Sequence, residues 1–167
     1  LAIAELGGDL VLVDKPGGKC KELVTAVNNI FGVKVEPMDC DLEDDKSRLD
    51  LVRTLMSQEE PLNILFNNAA FVGTSGLKDW VTDLENQSIA TWRRALEVNL
   101  TAAFDLSKGL ASKLKVGGHG SIINVASIYG LNGPDYSLYE GTDMGNPAAY
   151  AASKGGLLQL TRWLSTT

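Results

Sequence analysis

Asp9-Leu10-Val11-Leu12-Val13-Asp14 is followed, a few residues on, by Lys19 to Phe31, with apolar residues at Leu23, Val24, Val27 and Ile30. The first run is short and β-branched, the pattern of a buried strand. The second repeats its apolar residues at helical spacing and stops at Gly32, a helix-ending signal. A strand feeding a helix is the first half of a βαβ unit, and the same alternation continues outward. Val33 to Met38 reads as a second strand. Leu42 to Gln58 reads as a helix, with Glu43, Asp44 and Asp45 in its first turn, where the macrodipole favours acids. Leu62 to Phe66 is a third strand. After a polar loop, Ile89 to Lys115 reads as one long helix that starts near Ser88 and ends before Gly117-Gly118. Ser121 to Ala126 is a fourth strand. A Gly-, Pro- and Asp-rich stretch from Gly130 to Pro147 then leads to a helix from about Ala148 toward the C-terminus. On the other side, Leu1 to Gly8 reads as the end of a helix. Strands spaced by helices predict an α/β fold, a doubly wound parallel sheet, with residues 1–167 in a single dinucleotide-binding type of domain.

Composition narrows the function classes. Apolar residues make up 44% and charged residues 22%, with a formal charge of −6, an ordinary globular balance. The acidity and the lack of a Lys/Arg cluster argue against nucleic acid. No stretch approaches the roughly 20 apolar residues of a membrane span, and Leu1-Ala-Ile-Ala-Glu-Leu lacks the basic flank of a signal peptide. Cys20 and Cys40 have neither metal-ligand spacing nor disulfide density, so reduced thiols and a cytoplasmic location are expected. His119, the single histidine, sits in a glycine turn, which leaves little material for a triad or a metal site. Lys15-Pro-Gly-Gly-Lys-Cys20 lacks the spacing of a phosphate loop.

In open parallel sheets, ligands bind beyond the carboxyl ends of the strands. Those ends read Asp14-Lys15, Asp39-Cys-Asp41-Leu42, Asn67-Asn-Ala-Ala70 and Ala126-Ser-Ile-Tyr-Gly130, so polar residues gather there repeatedly. Tyr150 and Lys154, four apart on a helix, share a face. A free phenol titrates near about 10, too high for a base at neutrality. A nearby ammonium favours the phenolate, and bringing a phenol near neutrality takes roughly 4 kcal/mol. A lysine in a partly desolvated cleft is of the right size to supply that. An exposed Tyr/Lys pair on a helix is the bland alternative.

Asn67-Asn-Ala-Ala70, Asn99 in Glu97-Val-Asn-Leu100, Asn124-Val-Ala-Ser127 and Tyr150-Ala-Ala-Ser-Lys154, in this order and spacing, resemble the short-chain dehydrogenase/reductase family, single-domain branch. The resemblance implies a Rossmann-like fold and an NAD(P)-dependent oxidoreductase that moves a hydride between nicotinamide and an alcohol or ketone. It implies Tyr150 as general acid/base, Lys154 as its partner, Ser127 as donor to the substrate oxygen, and Asn99 as holder of a relay water. It also implies cofactor contacts from Asp14, Asp41, Leu42, Asn68, Ala69, Ala70, Tyr150 and Lys154. Asp14 favours NAD over NADP, because a carboxylate suits ribose hydroxyls and repels the extra phosphate; Lys15 pulls the other way. Asp41 serves equally well as N-cap of the following helix. Ser127 and Asn99 have plain readings too, as a turn residue and a helix-kink polar group. Ala70 stands where the family more often has Gly.

The family's glycine-rich TGxxxGxG turn, which sets a helix N-terminus against the pyrophosphate, has no counterpart here, nor do the closing C-terminal strands. A chain truncated at both ends is therefore expected, with a fragment favoured over a natural remnant. Leu131 to Pro147 is longer than the family's common spacing. It is expected to overhang the reacting centre with Asp135, Glu140, Asp143, Tyr136 and Tyr139, a mixture suited to sugar-like substrates; Tyr-Glu-Gly-Thr and Asn-Pro-Ala-Ala-Tyr resemble oxidoreductases of surface-polysaccharide and flagellin-glycan pathways. A homodimer or homotetramer through the long helix and the Tyr150 helix is implied. The rival readings are a sugar-nucleotide epimerase or dehydratase, which shares Tyr-x-x-x-Lys, and a non-catalytic assembly or binding module.

Overall fold

The computed structural model describes residues 1–18, 20–73, 77–116 and 118–167. They form two compact units, Leu1–Thr54 and Leu55–Thr167. The Lys19 start of the expected second helix and the Gly117 stop of the long one lie outside the described residues.

In the first unit, α1 (Ala2–Glu5) ends at Gly7, whose φ of 83° suits only a residue without Cβ. β1 (Leu10–Asp14) and β2 (Val35–Asp39) run parallel, with Leu10 opposite Val35 and Asp14 opposite Asp39. Pro37 lacks a ladder donor and is tolerated because β2 has one partner strand among the described residues. α2 (Cys20–Phe31) bridges them and stops at Gly32, φ 67°. Ala4, Val27 and Val35 form the core, with Leu10, Leu12, Val24, Phe31 and Val33 packed around it.

α3 (Asp45–Ser57) starts later than the expected Leu42. Side-chain turns explain the delay. Asp41 accepts the Glu43 amide at 3.0 Å, and Asp44 accepts the Lys46 amide at 3.1 Å while its carbonyl takes the Arg48 amide. Short acids that bond neighbouring amides hold the backbone out of the helix. Asp44 therefore flanks the helix, Asp41 caps the turn ahead of it, and only Asp45 lies in the first turn.

In the second unit, β3 (Ile64–Asn67) and β4 (Ser121–Asn124) are parallel, with Asn67 opposite Asn124. The expected continuous helix from Ile89 to Lys115 is instead α4 (Ile89–Leu96), a π-helical turn over Glu97–Thr101, and α5 (Ala102–Lys115). The Ser88 hydroxyl caps α4 by accepting the Thr91 amide at 3.4 Å. α5 packs on β3 and β4. The last helix, α6 (Ala148–Leu164), begins at the expected residue. No helix among the described residues is long and apolar enough to cross a membrane.

Leu110 on α5 is 1% exposed. Leu110→Ala should lower unfolding stability by about 2–5 kcal/mol, since its site cannot fully collapse; urea denaturation of the two proteins measures it.

Candidate active site

At the carboxyl end of the β3–β4 pair, the facing asparagines bond directly: Asn67 Nδ2 donates to Asn124 Oδ1 at 2.8 Å, and Asn124 Nδ2 donates to Thr161 of α6 at 2.9 Å. Both residues belong to the sequence motifs, but this bond between strands has no signature in either motif. Beyond β4, the Val125 amide donates to the Asn67 carbonyl at 3.0 Å. That leaves the Val125 carbonyl to accept the Lys154 ammonium at 2.6 Å. Lys154 is 2% exposed, and its nitrogen stands 5.8 Å from the centre of the Tyr150 ring. The expected pair is therefore assembled, with the ammonium over the ring.

Burial pushes the Lys154 pKa below its ordinary value, because an ammonium loses hydration that one carbonyl does not replace. Of its three N–H donors, one goes to Val125, and no other bond is made among the described residues. Tyr150 is half-buried against Trp80, Ala95 and Ala149, and its hydroxyl makes no hydrogen bond among the described residues.

Asn99 lies in the π turn, 2% exposed. Its Oδ1 accepts the Phe71 amide at 2.6 Å; its Nδ2 donates to the Phe71 carbonyl at 3.2 Å and to Ser153 Oγ at 2.9 Å. Both amide donors are thus spent on positioning. A π bulge swings a residue out of helical register and is frequent at functional sites. Phe71 is further pinned by an edge contact to Trp80 at 5.2 Å and by Arg94 above its ring at 4.9 Å. The Trp80 indole in turn lies on Gly73, where a Cβ would come within 2.0 Å of it, and donates to the Val72 carbonyl at 2.9 Å. Asn68 and Ala69 are exposed and Ala70 is half-buried, between β3 and this clamp.

Ser127 has extended backbone, and its hydroxyl accepts the Tyr129 amide at 3.2 Å, capping a 3-10 turn over Ile128–Gly130. The hydroxyl proton is left without an acceptor among the described residues. The turn rests on α6 at Gly130: a Cβ there would stand 2.7 Å from the Lys154 carbonyl carbon. This approach joins the Ser127 loop to the backbone that carries Lys154. The sequence signal for this contact is the glycine three residues after Ser127, at the end of Ala126-Ser-Ile-Tyr-Gly130.

Leu131–Pro147 is organised by local turn contacts. Asp135 spends its carboxylate on the Ser137 amide and hydroxyl, at 3.0 and 2.7 Å, and these bonds lower its pKa. It caps the 3-10 turn Tyr136–Tyr139. The Tyr139 hydroxyl meets that of Tyr129, a contact that pushes the Tyr139 pKa up to about 12. Glu140 and Asp143 are exposed.

The first unit carries Asp14, Asp41 and Leu42. Asp14 ends β1 beside Asp39; one of its oxygens accepts the Lys15 amide at 2.8 Å, and the other lies against Gly18, which has no room for a Cβ. Asp41 caps its turn as described, and the Leu42 carbonyl accepts the Arg48 guanidinium at 2.6 Å. Cys20 and Cys40 are free thiols, both with raised pKa from burial first.

The short chain dehydrogenase family model matches residues 1–167. The chain is 28% identical over 164 residues to 7alpha-hydroxysteroid dehydrogenase of Bacteroides fragilis, covering 98% of this chain and 58% of that protein. It is 29% identical over 167 residues to galactitol 2-dehydrogenase of Rhizobium johnstonii, again covering 98% and 58%. Among solved structures, an NAD+-bound xylitol dehydrogenase superposes with a TM-score of 0.80 at 26% identity, covering 98% of this chain and 56% of that one. The fold is therefore Rossmann-like, and the chain spans somewhat over half the length of these relatives.

The depressed Lys154 pKa carries a sign. Below it, the folded protein bears a buried ammonium that the unfolded chain would hold in water. Between it and the unfolded value of 10.5, the unfolded state binds the extra proton, so stability should rise with pH. Denaturant unfolding across that interval should show this rise, and Lys154→Met should flatten it.

Proposed function

This chain belongs to the short chain dehydrogenase family, and from that premise we propose that it carries the reacting centre of an NAD(P)-dependent oxidoreductase acting on alcohols or ketones. Tyr150 serves as the general acid/base, and the observation that carries the reading is the buried ammonium of Lys154 beside the Tyr150 ring. A buried cation with unspent donors and, among the described residues, no carboxylate partner is costly to hold. Stabilising a neighbouring phenolate is a use for it.

The donor set fits a nicotinamide dinucleotide. Two N–H groups of Lys154 are available for ribose hydroxyls, and the exposed Asn68-Ala69 with Ala70 allow a close backbone approach. When bound, the nicotinamide supplies or accepts the hydride. The chain's own residues do the rest. The Ser127 O–H donates to the substrate oxygen and holds it as charge develops there. Tyr150 gives or takes the proton at that oxygen. Lys154 holds the phenolate charge, and Asn99 acts as a positioning residue that ties Phe71 and Ser153 around the pair.

In the first unit, Asp14, assisted by Asp41 and Leu42, takes the adenosine end, which favours NAD over NADP. Hydroxyl-rich substrates fit too, by the likeness to galactitol 2-dehydrogenase and xylitol dehydrogenase. Exposed Phe104 on α5 and Trp163 on α6 support assembly of copies through those helices.

The test joins this chain to a glycine-rich phosphate-binding turn and a closing C-terminal segment from a family member. Nicotinamide absorbance is then followed with secondary alcohols and alditols. Tyr150→Phe should cut kcat by about 10²-fold or more with cofactor binding retained; undiminished turnover would refute the assignment. In the same protein, Asp14→Ala should move the NAD to NADP preference by at least about tenfold toward NADP, read as the ratio of kcat/KM values.

A further inference from the structure

The 3-10 turn over Ile128–Gly130 carries the amide that fixes the Ser127 hydroxyl, yet it has little core of its own. Ile128 and Leu131 are each 66% exposed, and so short a piece of 3-10 helix has poor hydrogen-bond geometry. The Tyr129 amide reaches Ser127 Oγ at 3.2 Å, the long end of the range for an N–H···O bond. Such a bond yields early when its donor moves. Gly130 seats one end of the turn on the α6 backbone at Lys154. The other attachment is the half-buried side chain of Tyr129, whose hydroxyl bonds that of Tyr139.

Tyr139, ten residues along the chain, is itself firmly held. It ends the 3-10 turn Tyr136–Tyr139, and its carbonyl accepts the Thr142 hydroxyl at 2.8 Å and the Thr142 amide at 3.1 Å. The Tyr136 ring lies 6.3 Å from the Tyr139 ring, and the Tyr136 hydroxyl donates to the Asn146 carbonyl at 3.4 Å. Asp135 caps the start of the same turn. The raised pKa of Tyr139 comes first from the bond to Tyr129, so the phenol keeps its proton, and the contact, at neutral pH.

We propose that Tyr139 is a positioning residue for Ser127: through the Tyr129 hydroxyl it holds the Ile128–Gly130 turn, and the Tyr129 amide selects the rotamer of the Ser127 hydroxyl. A serine side chain has three staggered positions about χ1. Accepting the Tyr129 amide keeps one of them and leaves the O–H proton to be donated outward. The segment Leu131–Pro147 thereby acts on the reacting centre through one contact between phenols. Ser127 enters here as donor to the substrate oxygen, the role proposed above; the phenol contact stands apart from that role.

Two measurements test this. In the chain itself, hydrogen exchange of the Tyr129 amide, followed by ¹⁵N NMR, should quicken at least about fivefold in Tyr139→Phe, while the Leu157 amide of α6 keeps its rate. In the protein joined to a phosphate-binding turn and a C-terminal segment, Tyr139→Phe should lower kcat by about three- to tenfold and leave the cofactor KM unchanged. Tyr129→Phe should do the same, and the double variant should lose no more than either single one. In a Ser127→Ala background, itself impaired, Tyr139→Phe should have no further effect. An unchanged exchange rate, an unchanged kcat, or a loss that persists in the Ser127→Ala background would overturn the proposal. Full turnover in Ser127→Ala would instead remove the reading of Ser127 on which it rests.

Discussion

The second unit hangs on a single side chain, the amide of Asn99. It closes two hydrogen bonds with the backbone of Phe71 and a third with Ser153. Those three bonds join the segment that leaves β3, the junction between α4 and α5, and the helix that carries Tyr150 and Lys154. A regular helix through residues 97–101 would present position 99 elsewhere. The π turn is the local cost of aiming it, and the satisfied amide offsets that cost, since buried polar groups stabilise only when fully paired.

Around this clamp, main-chain carbonyls do much of the positioning. Val125 holds Lys154 by its carbonyl while its amide is held by Asn67. The lysine is thus fixed to the strand that leads to Ser127. Gly130 then brings the Ser127 turn down onto the helix backbone at Lys154. The serine turn and the helix that carries the tyrosine and the lysine are thus linked by contacts that involve few side chains. The depressed proton affinity of Lys154 follows from the same arrangement, because one carbonyl replaces only part of its lost hydration.

Much of this was legible in the residues. The alternation of short apolar runs with amphipathic ones located every strand and long helix to within a few positions, since periodicity depends on nothing distant. Boundaries moved where side chains bonded local amides, as at Asp41 and Asp44, because turn chemistry competes with helix propensity over only a few residues. The break in the expected helix at Glu97–Thr101 carried no periodic signature; its cause is Phe71, 28 residues away in sequence. The bond from Ser137 to Asp135, two residues apart, is turn chemistry of the same local kind.

By itself the sequence determined the alternating α/β order, the polar residues at each strand end and the helical pairing of Tyr150 with Lys154. These follow from patterns of period two and 3.6 and from spacing within one helix. The tertiary structure decided that Lys154 is buried against Val125 and that Asn99 spends its amide on Phe71 and Ser153. Burial and hydrogen-bond satisfaction depend on which distant backbone groups converge, and a backbone carbonyl looks the same in every residue of a sequence.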